Sequence, residues 1–192
     1  MSDLKLTKTN TVSFSLNIDM VKSKTPIEID GTQFTECGTV DASHFKELED
    51  SRNKGAEILW ATICLEQKME TAISEYFFGK ELPNHKRHIF EHEVLQTSSF
   101  QFSAKKHLIH VISKEQSLFS GKEISLLQGV LKKVMNWRNA FAHGSLKIDA
   151  TKGIILEYYS GGHKYKTLNQ DFWVEVEDVF GKGDKLVSRL IS

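Results

Sequence analysis

The sequence predicts a mainly α-helical protein, a helical bundle with a short β-rich segment before it and a β-hairpin plus a helix after it. The main observation is a long segment, stopped by Gly79 and Pro83, in which apolar residues recur at helical spacing. Two β-forming runs, 154–159 and 163–167, flank a Ser-Gly-Gly turn at 160–162 and predict the hairpin. With 192 residues and 40% hydrophobic content, the chain is long enough for one domain with a substantial core.

The first forty residues are predicted to be β-rich. Apolar and polar residues alternate over 12–18, which is the period of a half-buried strand, and residues 27–34 resemble a small hairpin. We therefore divide the chain into a β-rich N-terminal appendage, residues 1–40, and a helical domain, residues 41–192, that includes the hairpin 154–167.

The helical domain is predicted to begin with a long helix that Ser43 caps. Its apolar face is broad, which indicates that much of its circumference is buried in a bundle. Three shorter helices and a final amphipathic helix are predicted to follow, at about 84–96, 103–113, 121–143 and 169–190.

The chemistry of the chain is concentrated at the end of the helix predicted over 121–143. Arg138, Asn139 and His143 lie within six residues of each other there. A guanidinium can hold a phosphate, an amide can orient a hydroxyl, and an imidazole can move a proton near neutral pH. Together these groups suit metal-free cleavage of RNA.

Helical geometry limits how these three groups act together. Asn139 and His143 share a helix face, whereas Arg138 and His143 point about 140° apart. Two solutions are open. The helix ends at Gly144 in a left-handed cap that frees the imidazole, or a second subunit supplies the missing partner across a two-fold axis. In either case the helix C-terminus favours the protonated imidazole, which suits a proton donor.

The run from Arg138 to His143, Arg-Asn-Ala-Phe-Ala-His, resembles the Arg-x4-6-His signature of the HEPN superfamily. Segments 56–78 and 102–108 resemble the corresponding helices of its mannitol operon repressor branch. The resemblance covers about residues 43–145 and implies an all-helical, dimeric protein from a superfamily with many RNases of toxin–antitoxin and antiviral systems. The repressor branch leaves a non-catalytic regulatory or interaction protein as the alternative.

The residues of the motif take definite roles in the RNase interpretation. His143 acts as general acid or base, Arg138 stabilises charge on the scissile phosphate, and Asn139 positions the ribose or the imidazole. No cofactor is expected, because attack by the ribose 2′-hydroxyl needs no metal. Glu66 lies among apolar neighbours on the long helix, so it is expected to need a cationic partner, and Arg138 is the candidate.

Charge is unevenly distributed although the net charge is zero. Residues 105–147 contain eight Lys or Arg against two Glu, a net charge of +6, and residues 171–184 carry a net charge of −4. A basic centre suits a phosphate-bearing ligand, while ordinary solvated helix faces are the alternative. The predicted RNA contacts are Lys105, Lys106, Lys132 and Lys133.

Three histidines, His85, His88 and His92, share one stripe of a predicted helix. Imidazoles so spaced can bind zinc, copper or nickel, which makes them a weak metal candidate. A solvated or RNA-facing basic stripe is preferred, because no carboxylate adjoins them at a fixed spacing.

The remaining sequence features indicate an ordinary cytoplasmic protein. Cys37 and Cys64 are too few for a disulfide framework or a zinc site. Neither a signal core nor an apolar run of membrane-spanning length is found, so no membrane association is expected. The three tryptophans each lie in an apolar pattern and are predicted to be core anchors: Trp60, Trp137 and Trp173.

Overall fold

The computed structural model describes residues 27–29, 32–34, 42–80, 85–149 and 151–191. This part of the chain is mainly helical, with a small three-stranded antiparallel sheet near the C-terminus followed by a helix, as the sequence predicts. The elements are β1 (Ile27–Ile29), β2 (Thr32–Phe34), α1 (Ala42–Phe78), α2 (His85–Phe90), a π-helical turn (Glu91–Leu95), α3 (Phe102–Glu115), α4 (Gly121–His143), β3 (Ser145–Asp149), β4 (Gly153–Tyr159), β5 (His163–Thr167) and α5 (Gln170–Ser188). None of the helices described is both long and apolar enough to cross a bilayer.

Most predicted elements are present, and three details differ. β1 and β2 form the predicted antiparallel hairpin, with Ile27 opposite Phe34, whereas the strand predicted over 12–18 lies outside the described residues. α1 begins at Ala42, one residue before the predicted cap position, Ser43. The segment predicted as one helix over 84–96 divides into α2 and the π-helical turn, and β3 was not predicted.

The start of α4 is fixed by a capping box. The Ser120 side chain accepts from the Glu123 backbone N–H at 3.3 Å, and the Glu123 carboxylate accepts from the Ser120 backbone N–H at 2.8 Å. Arg189, just beyond α5, donates to the same carboxylate at 2.5 Å. The hydrogen bond from Arg189, together with those from Ser120, lowers the pKa of Glu123 to about 2. These contacts join the end of α5 to the start of α4.

Two adjoining hydrophobic clusters form the core. In the larger one α1, α3, α4 and α5 pack around fully buried side chains such as Met69, Ile109 and Leu131. In the smaller one the inner face of the sheet packs against α4 and α5. Trp137 contacts both clusters, so the last turns of α4 are held between the bundle and the sheet.

The tryptophan prediction is correct for two of the three residues. Trp173 is buried, and Trp137 is half-buried against both clusters. Trp60 is 67% exposed on α1, so its assignment as a core anchor is wrong. Ile63, one turn further along α1, is exposed as well. The broad apolar face of α1 therefore extends beyond the area that the rest of the described chain covers.

Candidate functional site

A groove of about 1030 Å³ between α1, α3 and α4 collects most of the residues predicted to act together. Arg138, Asn139 and His143 all line it. Arg138 and His143 thus face the same groove although they lie five residues apart on α4. Its polar walls also include Glu66, Glu70, Lys105 and Tyr159.

The rotation of α4 about its axis decides which side chains face this groove. Ala140 is buried, and the ring of Phe141 packs 6.3 Å from that of Phe172 and 6.2 Å from that of Trp173. Phe141 is also so close to α1 that a Cβ at Gly55 would lie 2.6 Å from it. These contacts fix the inner face of the helix, and the polar residues of the motif are left on the outer face.

At the C-terminus of α4 the backbone lies unusually close to the sheet. Gly144 has φ −90° and ψ 178°, so the predicted left-handed cap is wrong. Its backbone N–H donates to the Ala140 carbonyl at 2.8 Å. A Cβ at this position would collide with that carbonyl and lie 2.5 Å from the Glu157 carbonyl oxygen. Glycine is needed here for space, and His143 is the last helical residue before the chain enters β3.

Asn139 contacts its neighbour in the motif. The guanidinium of Arg138 donates from Nη1 to the Asn139 side-chain oxygen at 3.1 Å. Arginine has five N–H donors in a rigid fork, so this bond leaves donors for an anion in the groove. In the structure Asn139 thus orients Arg138, a role that the sequence interpretation did not assign to it.

The carboxylate of Glu66 is held by Lys105, so the predicted partner, Arg138, is wrong. The Lys105 ammonium on α3 lies 2.6 Å from Glu66 and 2.5 Å from Glu70, both on α1. Burial alone would lower the pKa of Lys105, but the hydrogen bonds to the two carboxylates outweigh burial and raise it. Only 5% of the Lys105 side chain is exposed, so we withdraw its assignment as an RNA contact. It is the central charge of a Glu66–Lys105–Glu70 triad.

The other lysines predicted to contact RNA do not line the groove. Lys132 and Lys133 are exposed on α4, and Lys133 pairs with Glu175 of α5 at 2.6 Å. Lys106 is half-buried on α3. The acidic segment 171–184 therefore neutralises part of the basic centre that the charge count predicts.

Two of the three histidines of the predicted stripe lie close together. The rings of His88, at the end of α2, and His92, in the π-helical turn, lie 4.3 Å apart. Within the described ranges, no set of three or more His, Cys, Asp or Glu side chains is arranged to hold a metal ion. The structure thus places two imidazoles in contact, with their planes tilted by 47°, distant in sequence from the groove residues of α4.

Among the groove residues that sequence reasoning did not identify, two bear on its chemistry, Glu70 and Tyr159. Glu70 completes the triad, and its position one turn after Glu66 was the available signal. Tyr159, at the end of β4, is 82% exposed and lines the same groove as His143. Its only sequence signal was an aromatic residue directly before the hairpin turn.

The fold and the groove define a mainly helical protein in which a cation, an amide and an imidazole share one polar groove. Comparison with protein-family models, with curated proteins and with solved structures gives no match. The function must therefore be inferred from the residues of the groove and from the resemblance that the 138–143 motif carries.

Proposed function

We propose that this protein is a metal-independent endoribonuclease of the HEPN type, a toxin or phage-defence effector that acts in the cytoplasm. The supporting observation is that Arg138, Asn139 and His143 line a single groove, with the guanidinium oriented by the amide at 3.1 Å. A fixed positive charge beside an imidazole is what cleavage of a phosphodiester by general acid–base catalysis needs.

The proposed reaction is an internal transfer at phosphorus. The ribose 2′-oxygen attacks the neighbouring phosphate as its proton leaves to a base, the bond to the 5′-oxygen breaks, and that oxygen takes up a proton. The products are a 2′,3′-cyclic phosphate and a 5′-hydroxyl. His143 serves as base or acid in this sequence, and Arg138 stabilises the negative charge that builds on the phosphate oxygens.

The triad shapes the electrostatics of the groove in which this reaction would occur. Glu66 and Glu70 would repel a phosphate if they were unpaired, and Lys105 offsets half of their charge from within hydrogen-bond distance. Arg138, on the wall of the groove that α4 carries, then supplies a fixed positive charge, and His143 lies on the same helix. An RNA phosphate is therefore expected to bind on the α4 side.

The test is incubation of the purified protein with single-stranded RNA in the presence of a chelator. We expect cleavage to fragments that end in a cyclic phosphate, identified by mass spectrometry. A DNA strand of the same sequence should stay intact because it lacks the 2′-hydroxyl. Cleavage that requires a divalent ion, or equal cleavage of DNA, would contradict the proposed mechanism.

We also propose a homodimer, which the family resemblance implies. The exposed side chains of Trp60 and Ile63 on α1 support it, because Ile63 also lines the groove and an exposed tryptophan suits a protein contact. Light scattering at micromolar concentration should give about twice the chain mass of 21.9 kDa. A strictly monomeric protein would exclude this part of the proposal.

The same apolar surface supports the alternative function, a non-catalytic regulatory or interaction protein of the mannitol operon repressor type. Trp60 and Ile63 beside the groove would then contact a protein partner, and in the toxin interpretation that partner is an antitoxin. The chelator experiment separates the two functions. Binding of a partner protein that is lost on substitution of Arg138 or His143, without RNA cleavage by the wild type, would favour the regulator.

A further inference from the structure

Tyr159 is the most exposed large aromatic side chain of the described residues, at 82%. It forms the last pair of the β4–β5 ladder, opposite His163, and the two rings lie 5.8 Å apart at 70°. His163 is in turn 3.5 Å from the carboxylate of Glu157. A single exposed tyrosine is common on protein surfaces, but this one lies at the wall of the groove that contains the motif.

Two smaller cavities lie next to the groove, on the side of Tyr159 and the hairpin. A second cavity, of about 150 Å³, shares Asn139 and Tyr159 with the groove and adds Asn136 and Lys164 to its walls. A third cavity, of about 190 Å³, shares Asn136 and Tyr158 with the second cavity and includes Lys166. The shared residues place the three cavities next to one another, the second and third between α4 and the β4–β5 hairpin, and we call the series the track.

The residues along this track have the composition of a protein site for single-stranded nucleic acid. Cations that follow the backbone and aromatic rings on which bases stack are the two elements of such sites. Arg138 lies in the groove, Tyr159 at its junction with the second cavity, and Lys164 beyond it. Asn136 adds an amide that can hydrogen-bond a base edge.

We propose that Tyr159 stacks on an unpaired base of an RNA strand and that Lys164 binds a neighbouring phosphate, so that the strand leaves the Arg138–His143 groove along the hairpin. This inference rests on the proposed function, because it extends the same site to the nucleotides next to the scissile bond. Since stacking is available to every base, the interaction gives affinity for single strands with little sequence preference.

The experiment measures binding separately from cleavage. The probe is a fluorescently labelled 2′-O-methyl RNA of roughly 12 nucleotides and mixed sequence, which spans a typical single-strand site and cannot be cut by 2′-hydroxyl attack. Fluorescence anisotropy should show that Tyr159→Ala weakens binding by about 10-fold or more, whereas Tyr159→Phe keeps the affinity. Lys164→Gln should lower the slope of log affinity against log salt by about 0.7, the value for one phosphate contact on a single strand.

A matched control is Tyr165→Ala, which removes a 52% exposed tyrosine of β5 that lies outside the lining of the track. It should bind like the wild type. Equal binding by Tyr159→Ala would overturn the inference, and so would an equal loss in Tyr159→Phe, which would indicate a hydroxyl contact instead of stacking. If the wild type binds the probe as stated but does not cleave ordinary RNA, the nuclease proposal fails while the stacking site stands. If the wild type cleaves RNA and Tyr159→Ala binds the probe normally, the stacking site fails while the nuclease proposal stands.

Discussion

His143→Ala is expected to lower the rate of RNA cleavage by about 10²–10⁴-fold, the contribution of general acid–base catalysis by a positioned side chain. The rate should be measured under single-turnover conditions in chelator, so that product release does not hide the chemical step. A matched control is His107→Ala, which removes an exposed histidine of α3 outside the groove lining. Cleavage by His143→Ala at the wild-type rate would refute the assigned role.

Arg138→Ala should lower the rate of RNA cleavage by a comparable factor, because one preorganised donor to a developing charge contributes about 10²–10³-fold to the rate. Asn139→Ala should cleave at a rate between those of the wild type and Arg138→Ala. It removes the 3.1 Å hydrogen bond that orients the guanidinium but leaves the charge of Arg138. Both variants are expected to remain folded, because Lys105 and not Arg138 neutralises Glu66. Circular dichroism checks this. A full loss in Asn139→Ala with wild-type activity in Arg138→Ala would contradict the assignment.

Lys105→Met is expected to lower the free energy of unfolding by about 2–4 kcal/mol. Breaking a fully buried ion pair costs about 3–5 kcal/mol because it leaves an unpaired buried charge. The effect should be slightly smaller here, since the Glu66 and Glu70 side chains are 24% and 14% exposed. Urea unfolding followed by circular dichroism gives the measurement, provided that the slope against urea is unchanged.

The triple variant Lys105→Met, Glu66→Gln, Glu70→Gln tests whether unpaired charge causes the loss of stability. It removes the two carboxylates together with their cation, so most of the lost stability should return. Lys106→Met, on the same helix but outside the triad, should have little effect. If the triple variant were as unstable as Lys105→Met, the loss would have to come from packing of the lysine stem and not from stranded charge.

The parts of the fold that local signals encode were predicted well. α4 has the predicted bounds because a capping box marks its start, and the chain turns away at Gly144. The Ser-Gly-Gly turn has positive φ at Gly161 and Gly162, which explains why the hairpin was recognised. Apolar periodicity identifies a helix face but not what covers it. For that reason Trp60 was assigned to the core, although it is exposed.

Only the part of the site formed by residues close together in sequence could be predicted. Arg138, Asn139 and His143 belong to one helix end, and their presence in one groove follows from how α4 packs. The partner of Glu66 lies 39 residues away on α3. The sequence showed that this carboxylate needs a cation, but several cations were available and only the packing of α1 against α3 selects Lys105. Tyr159 was missed for the same reason, since its position depends on how the hairpin meets α4.

The contact at Gly144 has a mechanical consequence for the imidazole that precedes it. The chain passes from helix to strand with no intervening loop, and the glycine is wedged between the carbonyls of Ala140 and Glu157. Because the space at Gly144 does not admit a Cβ, the backbone after His143 lies directly against β4, two residues before Tyr159 at the end of that strand. A displacement of the hairpin is therefore expected to shift the backbone that carries His143 as well.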